Sequence, residues 1–508
     1  MTTETTSIFK SLPKIVSNVR SRFIPICFIL AVCLSACSTR PNADIRTNRH
    51  TPDRPNFIII MVDDMGYAGV SCFGNPYFKT PEIDRLAAEG LRFTDFHSSG
   101  AVCSPTRTGL LTGRYQQRAG VEAVIHPLAD HPEHRKGLKP VEITFAEALQ
   151  NAGYRTGLIG KWHQGYPHNS AEYHPQNHGF DEFIGYHSGN IDYVSHVGDH
   201  GRHDWWHGRT ETHEDGYTTD LINRYALDFI KQHRDQPFCL YVAHEAIHNP
   251  VQVPGDPVRR REVPGSSIEQ DLFTGWNRWK TTDEAERIEK YKGMTLPIDD
   301  GVGQIRATLE ELGLDRNTCI IFFSDNGPAA DFPSGSPELR GRKGSLYEGG
   351  HRVPCVTWWP GKIDAGSVTD IPAMSIDIMP TLLSLAGIAL PGERPLDGVD
   401  LSPVLLEQRA LPDRPLFWAG LSNKGGRTEA MRDGPWKLMV NHRDARPGTR
   451  ENPTVELYNL DQDLQEQTNL AEYQSERAAA MLHQINAWIA DTQKGRTPQE
   501  GTWAQVDK

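Results

Sequence analysis

Residues 57–64 read FIIIMVDD, six apolar residues followed directly by two aspartates. A short apolar run of this kind is typical of a strand buried on both faces of a parallel sheet. Similar runs occur at 155–159 (RTGLI), 238–243 (FCLYVA) and 319–323 (CIIFF), and helical patterns lie at 80–89, 143–152, 218–231 and 284–312. This alternation predicts an α/β fold, a mixed and mostly parallel sheet flanked by helices on both faces.

Each predicted strand is followed by residues that bind metals or transfer protons. Ligands of open α/β sheets bind beyond the carboxyl ends of the strands, so we expect these residues to form one site. A single polar residue after a strand is commonly a turn former or a helix cap, but four strands that all end this way favour a site. The residues are Asp63 and Asp64, Lys161 and His163, His244 and His248, and Asp325 and Asn326.

Two of these pairs indicate a metal. Asp63, Asp64, Asp325 and Asn326 offer only oxygen ligands, and three of the four are anionic. Such a set suits a hard divalent cation, Ca²⁺ or Mg²⁺, rather than zinc.

The run at 103–114, CSPTRTGLLTGR, contains a thiol, a tight proline turn and an arginine before a helical pattern. It places Cys103 at a helix N-terminus beside Arg107, where an anion is stabilised. A structural thiol in a turn is the alternative for a short match of this kind. The full run, however, resembles the signature of the formylglycine-dependent sulfatases, a family with the alkaline-phosphatase-like fold, and the resemblance extends from about residue 56 to 466.

The resemblance implies a modified nucleophile and a Ca²⁺ ion. In that family a maturation enzyme oxidises the motif cysteine, here Cys103, to formylglycine, and a hydroxyl of the hydrated aldehyde attacks sulfur. Arg107 matches the residue that orients the hydrate. The implied metal ligands are Asp63, Asp64, the modified Cys103, Asp325 and Asn326.

Four further residues match catalytic positions of the family. Lys161 matches a contact to the sulfate and hydroxyl groups, and Lys343, in RGRKG at 340–344, matches a sulfate-binding lysine. His163 matches the base for sulfate elimination, and His248 matches the residue that protonates the leaving oxygen. A metal and fixed cations stabilise charge on a sulfuryl group, and a poor alkoxide leaving group needs an acid. Alternatively, Lys343 is a solvated lysine and His248 a turn residue.

These matches predict a sulfuric ester hydrolase that acts on a sulfated carbohydrate. One alternative is a phosphonate or phosphate ester hydrolase of the same fold, because some relatives share the C-x-P-x-R nucleophile. Another is a catalytically dead, surface glycan-binding lipoprotein. That alternative predicts the loss of at least one of Asp63, Asp64, Cys103, Arg107 and Asp325, and all five are present.

The N-terminus predicts export. Basic residues precede an apolar run at 23–34 that is too short to span a bilayer comfortably and ends in LSAC at 34–37, which resembles a bacterial lipobox. We expect residues 1–36 to be a lipoprotein signal peptide, and lipid on Cys37 to anchor the protein to a membrane, in the periplasm or at the cell surface. Residues 37–53 would be a tether. Cleavage after Ala36 and secretion of a soluble protein is the alternative.

The remaining chain divides into a catalytic α/β domain at 54–410 and a smaller C-terminal α+β subdomain at 411–508. Alternating stretches at 416–419, 428–432, 436–441 and 455–459 predict an antiparallel sheet. An amphipathic pattern at 474–492 predicts a helix packed on that sheet.

The composition of the chain limits the kinds of partner that the protein is expected to bind. The formal net charge of −12 argues against a nucleic-acid partner, because a polyanion usually requires a basic face. Cys239 and Cys319 lie in strand-like runs and are expected to be buried thiols.

Most of the 21 histidines fall between 126 and 213, together with Trp205 and Trp206. This segment predicts a substrate-recognition insertion with aromatic faces for sugar rings, with polar surface loops or a second metal site as alternatives.

Overall fold

A computed structural model describes residues 54–127, 131–262, 283–329, 333–421, 427–442 and 453–499. The predicted signal peptide, the lipid site at Cys37 and the tether therefore lie outside the described residues. Within those ranges, every helix is too short or too polar to traverse a bilayer.

The strands alternate with helices along most of the described chain. The strands are β1 (Asn56–Val62), β2 (Leu91–Phe93), β3 (Phe96–His97), β4 (Arg155–Lys161), β5 (Glu182–Tyr186), β6 (Trp206–His207), β7 (Thr210–Glu211), β8 (Phe238–Ala243), β9 (Thr318–Ser324), β10 (Cys355–Trp358), β11 (Ser367–Thr369), β12 (Ala373–Met374), β13 (Leu416–Leu421), β14 (Arg427–Asp433), β15 (Trp436–His442) and β16 (Thr454–Asn459). The helices are α1 (Pro81–Glu89), α2 (Cys103–Thr112), α3 (Gln116–Ala119), α4 (Phe145–Asn151), α5 (Thr218–Gln232), α6 (Glu284–Glu311), α7 (Glu348–His351), α8 (Ile378–Leu385), α9 (Ser402–Glu407) and α10 (Ser475–Gln493).

The large sheet has the strand order β11-β2-β10-β9-β1-β8-β4-β5-β6-β7. Its central strands, from β9 to β5, are all parallel. On one side β10 pairs antiparallel with both β9 and β2, and the hairpin β6–β7 closes the other edge. The predicted mixed, mostly parallel α/β sheet is confirmed. The four strands predicted from sequence are the neighbours β9, β1, β8 and β4, so their carboxyl ends lie side by side.

Successive side chains of β1 point to opposite faces of the sheet, and helices cover both of these faces. Ile58, Ile60 and Val62 belong to the core that includes side chains of α1, α5 and α6. Phe57 and Ile59 belong to the opposite core, with side chains of α2, α4 and α8. All of these β1 side chains are fully buried, and each contributes about 1.5–3 kcal/mol of transfer free energy.

The C-terminal part forms an antiparallel sheet with the sequential order β13-β14-β15-β16, and α10 packs on it. Ile485 and Trp488 of α10 lie in its core, where the Trp488 ring stacks on Phe417 at 5.1 Å. The predicted antiparallel sheet with a packed helix is therefore confirmed. Cys239 and Cys319 are buried free thiols, as predicted.

Candidate active site

The backbone turns sharply where β1 and β4 end. Asp64 has a φ of 62° and His163 a φ of 52°, in the left-handed region that non-glycine residues seldom occupy. Such backbone costs about 1–3 kcal/mol per residue and persists where the surroundings fix it, commonly at functional sites. Here the backbone N–H of Asp64 donates to Asp325 Oδ1 at 3.2 Å, and the N–H of His163 donates to the carbonyl of His187 at 3.2 Å.

Two fully buried carboxylates share one guanidinium. Arg107 Nη2 lies 3.0 Å from Asp63 Oδ2 and 3.2 Å from Asp325 Oδ2, and Lys161 Nζ also contacts Asp63. Burial raises the pKa of Asp63, but the charges of Lys161 and Arg107 help to hold it well below its usual range. Burial, followed by the charge of Asp63, raises the pKa of Asp325. The two acids therefore differ in their preference for the ionised form.

Helix α2 begins at Cys103, as the sequence predicts, and its thiol is 2% exposed. Cys103 Sγ lies 3.4 Å from Asp63 Oδ1 and 3.4 Å from Lys343 Nζ. Lys343 Nζ also lies 2.6 Å from Asp64 Oδ1, so this lysine contacts the site and is not a freely solvated side chain. Burial and the Asp63 carboxylate raise the pKa of the Cys103 thiol, which makes the unmodified residue a weak nucleophile.

The two candidate histidines present different ring nitrogens. His163 Nε2 donates to the carbonyl of Ile125 at 3.1 Å, and its buried Nδ1 has no partner among the described residues. His248 Nδ1 donates to the carbonyl of Asn249 at 2.8 Å, and its Nε2 lies 3.7 Å from Asp64 Oδ2. Burial, followed by Lys343, lowers the pKa of His248 to about 4. Burial, followed by the charge of Lys161, lowers the pKa of His163 well below its usual range. Both imidazoles therefore favour the neutral form, with opposite tautomers.

Three of the predicted metal-binding residues, Asp63, Asp64 and Cys103, lie in one cluster with His248, which was not predicted as a ligand. Ligand atoms of Asp63, Asp64, Cys103 and His248 lie within 4.8 Å of one another. Asn326 Nδ2 donates to Asp64 Oδ1 at 2.8 Å, which leaves its buried Oδ1 without a partner in the described chain. An unpaired amide oxygen beside three carboxylates fits a hard cation in donor chemistry and in charge.

His244 is the strand-end residue that does not join these contacts. Its backbone N–H donates to the carbonyl of Met61 at 2.9 Å, and burial lowers the pKa of its imidazole to about 3. No hydrogen bond of the described chain links its ring to the other candidate residues.

The histidine-rich segment between residues 126 and 213 does not consist only of polar surface loops, which were one alternative for it. Trp205 is fully buried against His196, so it cannot offer a face to a sugar, whereas Trp206 is partly exposed. The prediction of a tryptophan pair for sugar rings is wrong for Trp205, because its indole is part of the core. His203 and His213 stack at 4.0 Å beside Glu211, the closest arrangement to a second metal site in this segment.

A buried ion cluster, which no sequence pattern predicts, holds the segment that carries Lys343. The Lys437 cluster consists of Lys437, Glu348 and Glu466, and the ammonium lies 2.8 Å and 2.9 Å from the two carboxylates. Glu466 Oε2 also accepts the backbone N–H of Glu348 at 2.7 Å, and its carbonyl accepts Arg340 Nη1 at 2.6 Å. The C-terminal sheet thus fixes residues 340–348. No spacing in the sequence indicates this cluster, since Lys437 occurs in an ordinary strand pattern.

The sheet order, with polar residues gathered at the carboxyl edge, is that of an α/β protein whose site lies beyond the ends of its parallel strands. Comparison with known proteins agrees. The family model "Sulfatase" matches residues 55–388, and "N-sulphoglucosamine sulphohydrolase, C-terminal" matches residues 342–495.

Relatives of known activity extend this match. The chain is 35% identical over 388 residues to N-acetylgalactosamine-6-sulfatase of Mus musculus, covering 72% of this chain and 69% of that protein. It is 33% identical over 394 residues to arylsulfatase A of Homo sapiens, covering 72% and 70%. The crystal structure of Ps i-CgsB superposes with a TM-score of 0.74 at 27% identity, covering 89% of this chain and 96% of that one. The chain therefore belongs to the sulfatase family and is a sulfatase.

Proposed function

We propose that this sulfatase removes sulfate from a sulfated carbohydrate, with Cys103 oxidised to formylglycine and Ca²⁺ in the acidic pocket. The observation that carries the proposal is the position of Cys103 at the start of α2, 3.4 Å from both Asp63 and Lys343. The substrate class is supported by N-acetylgalactosamine-6-sulfatase among the relatives. It is also supported by Ps i-CgsB, whose structure in complex with k-i-k-neocarrahexaose superposes with a TM-score of 0.74 at 26% identity.

The acidic residues would hold the cation. Asp63, Asp64, Asp325 and Asn326 would supply oxygen ligands together with the modified Cys103. Ligand atoms of Asp63, Asp64 and Cys103 lie within 4.8 Å of one another, and the buried Asn326 Oδ1 has no partner among the described residues. When bound, Ca²⁺ offsets the carboxylate charges and polarises the sulfuryl group, while the hydrated aldehyde supplies the attacking oxygen.

The remaining residues would bind the sulfate and move protons. Lys161 and Lys343 hold fixed positive charge where negative charge develops on the sulfuryl oxygens, and Arg107 fixes the orientation of the hydrate. His163 Nδ1 carries the lone pair needed for a base. His248 must first take up a proton at Nε2, and an anionic sulfate ester beside it favours that protonated form.

Removal of the cation is expected to lower both activity and stability. Three carboxylates without a counter-ion repel each other, and a ligand bound only by the folded state stabilises that state. We expect exhaustive chelation to lower the melting temperature and the rate, and Ca²⁺ to restore both better than Zn²⁺. Elemental analysis accompanies the assay. Full activity in protein shown to be metal-free would contradict the assignment.

His248→Ala is expected to discriminate between leaving groups. A sugar alkoxide needs a proton to depart, whereas a nitrophenolate departs readily without one. The variant should lose about 10²–10⁴-fold in rate on a sulfated sugar and far less on nitrophenyl sulfate. His163→Ala, a matched variant, should slow both substrates alike because its role follows departure of the alcohol. Equal losses for His248→Ala on both substrates would mean that another group donates the proton, and Lys343 would be the next candidate.

Direct product analysis tests the substrate class. Purified protein is incubated with galactose and N-acetylgalactosamine sulfates and with the corresponding phosphate esters, and the released anions are separated by ion chromatography. We expect sulfate from the sugar sulfates and little phosphate. Faster release of phosphate would favour the phosphonate or phosphate ester hydrolase, and binding without release of either anion would favour the catalytically dead lipoprotein.

We also propose that the protein is an exported lipoprotein anchored to a membrane through Cys37 and located in the periplasm or at the cell surface. The proposal rests on the LSAC run at 34–37 and the apolar run before it. Fractionation of host cells tests it. The wild type should sediment with membranes and Cys37→Ala should not, so equal amounts of both in the soluble fraction would refute the anchor.

A further inference from the structure

The loop at 187–204, which follows β5, frames the candidate site on two sides. A Cβ atom on Gly189 would lie 2.9 Å from His163 Nε2 and 2.9 Å from Asp199 Oδ2, so the backbone of Gly189 is wedged between these side chains. On the other side, the Tyr193 hydroxyl donates to the carbonyl of His248 at 2.9 Å. The loop therefore places the carboxyl group of Asp199 beside the imidazole of His163.

Asp199 is a carboxyl group of this loop whose side-chain hydrogen bonds are both long. The Tyr166 hydroxyl donates to Oδ1 at 3.4 Å, and Asn190 Nδ2 donates to Oδ2 at 3.4 Å. Both contacts are at the long limit of a hydrogen bond, whereas donors to carboxylates commonly lie at about 2.5–2.9 Å. Burial raises the pKa of Asp199 even though the charges of His200 and Arg260 act against it, so its loss of water is only partly compensated. Shorter bonds from a ligand would satisfy it.

A rigid frame holds this carboxyl group in place. Asn190 is 4% exposed, and its Oδ1 accepts a hydrogen bond from the guanidinium of Arg260. Asp192 Oδ2 in turn accepts the backbone N–H groups of Arg259 and Arg260, at 2.6 Å and 2.7 Å. The 259–260 segment and the loop are thus joined by charge-assisted bonds, which preorganise Asp199 for a ligand.

We propose that Asp199 binds a free hydroxyl group of the sugar ring that carries the sulfate ester. The inference rests on the proposed function and deepens it, because it assigns a determinant of substrate choice. A carboxyl group accepts hydrogen bonds from hydroxyl donors and repels a second anion. Asp199 therefore favours sugars that present a free hydroxyl group to it, and disfavours sugars that bear a further sulfate at that position.

The test combines deoxy substrates with Asp199→Ala. The substrates are the best galactose or N-acetylgalactosamine sulfate for the wild type, its analogues that each lack one hydroxyl, and nitrophenyl sulfate. For the wild type, one deoxy analogue should lower kcat/KM by about 10–100-fold, the usual effect of losing a hydrogen bond to a charged group. Asp199→Ala should show a loss of the same size on the parent sugar and no additional loss on that analogue.

Three results would overturn the inference. They are an equal loss for Asp199→Ala on nitrophenyl sulfate, an additive loss on every deoxy analogue, and no deoxy analogue that is slower than its parent for the wild type. The last comparison needs no variant and holds even if Asp199→Ala does not fold. Asp215→Ala, an exposed carboxylate near the same loop, is the matched control and should leave all substrates unaffected. If the wild type hydrolyses nitrophenyl sulfate but no sugar sulfate, the proposed carbohydrate function fails, and this inference with it.

Discussion

Replacing Cys103 with alanine is expected to reduce sulfate release by about 10⁴–10⁶-fold, the range for loss of a covalent nucleophile. The fold should tolerate the change, because one sulfur atom is removed from a polar pocket that Lys343 and Asp63 continue to line. We expect the free energy of unfolding to change by about 1 kcal/mol or less. Activity assays and denaturant melts of the same preparation measure both effects.

Mass spectrometry of the wild type links this loss to the modification. The tryptic peptide at 93–107 from active protein should carry an aldehyde in place of the thiol. Cys239→Ala is the matched control, because it also removes a buried thiol but lies at the start of β8, away from the site. A fully active preparation in which Cys103 is entirely a free thiol would refute the formylglycine proposal.

The second large effect is expected at the Lys437 cluster. Lys437→Met keeps the length of the side chain but leaves Glu348 and Glu466 without their buried counter-ion. Breaking a buried ion pair from one side costs about 3–5 kcal/mol. We expect a loss of this size in urea unfolding. We also expect lower kcat/KM, because residues 340–348 carry Lys343 into the site.

Two comparisons separate this effect from ordinary loss of charge. Lys494→Met removes an exposed lysine whose contact with Asp491 is on the surface, so its cost should stay below about 1 kcal/mol. Adding Glu348→Gln and Glu466→Gln to Lys437→Met should recover part of the lost stability, because the uncompensated carboxylates are then gone. Equal unfolding free energies for Lys437→Met and the wild type would show that the cluster contributes no net stability.

Sequence alone predicted the centre of the sheet because the information there is local. The strands β1, β4, β8 and β9 are apolar runs that must be buried on both faces, and the residues that follow them necessarily meet at one edge. The short strands at the sheet edges, β11 and β7, carry no such pattern. Their pairing depends on contacts that form only after the centre has folded.

The residues around the site were predicted less completely, because their contacts join parts of the chain that are distant in the sequence. Lys437 pairs with Glu348 across 89 positions, and neither residue is unusual in its own stretch of sequence. Tyr241 reads as a core residue of β8, yet its hydroxyl accepts a hydrogen bond from Arg107 at 3.4 Å. Trp205 was expected to face a sugar and instead lies in the core. An aromatic pair in a histidine-rich segment does not reveal which ring faces the core.

The burial of Cys103 limits the time at which its proposed oxidation to formylglycine can occur. The thiol is 2% exposed, and Lys343, which contacts it, lies 240 positions later in the chain. The proposed oxidation requires a maturation enzyme to reach this thiol, and access would end once α2 docks and residues 340–348 close over it. Modification would thus compete in time with folding. Chains that fold first would be trapped as inactive thiols, and only unfolding would return them to the maturation enzyme.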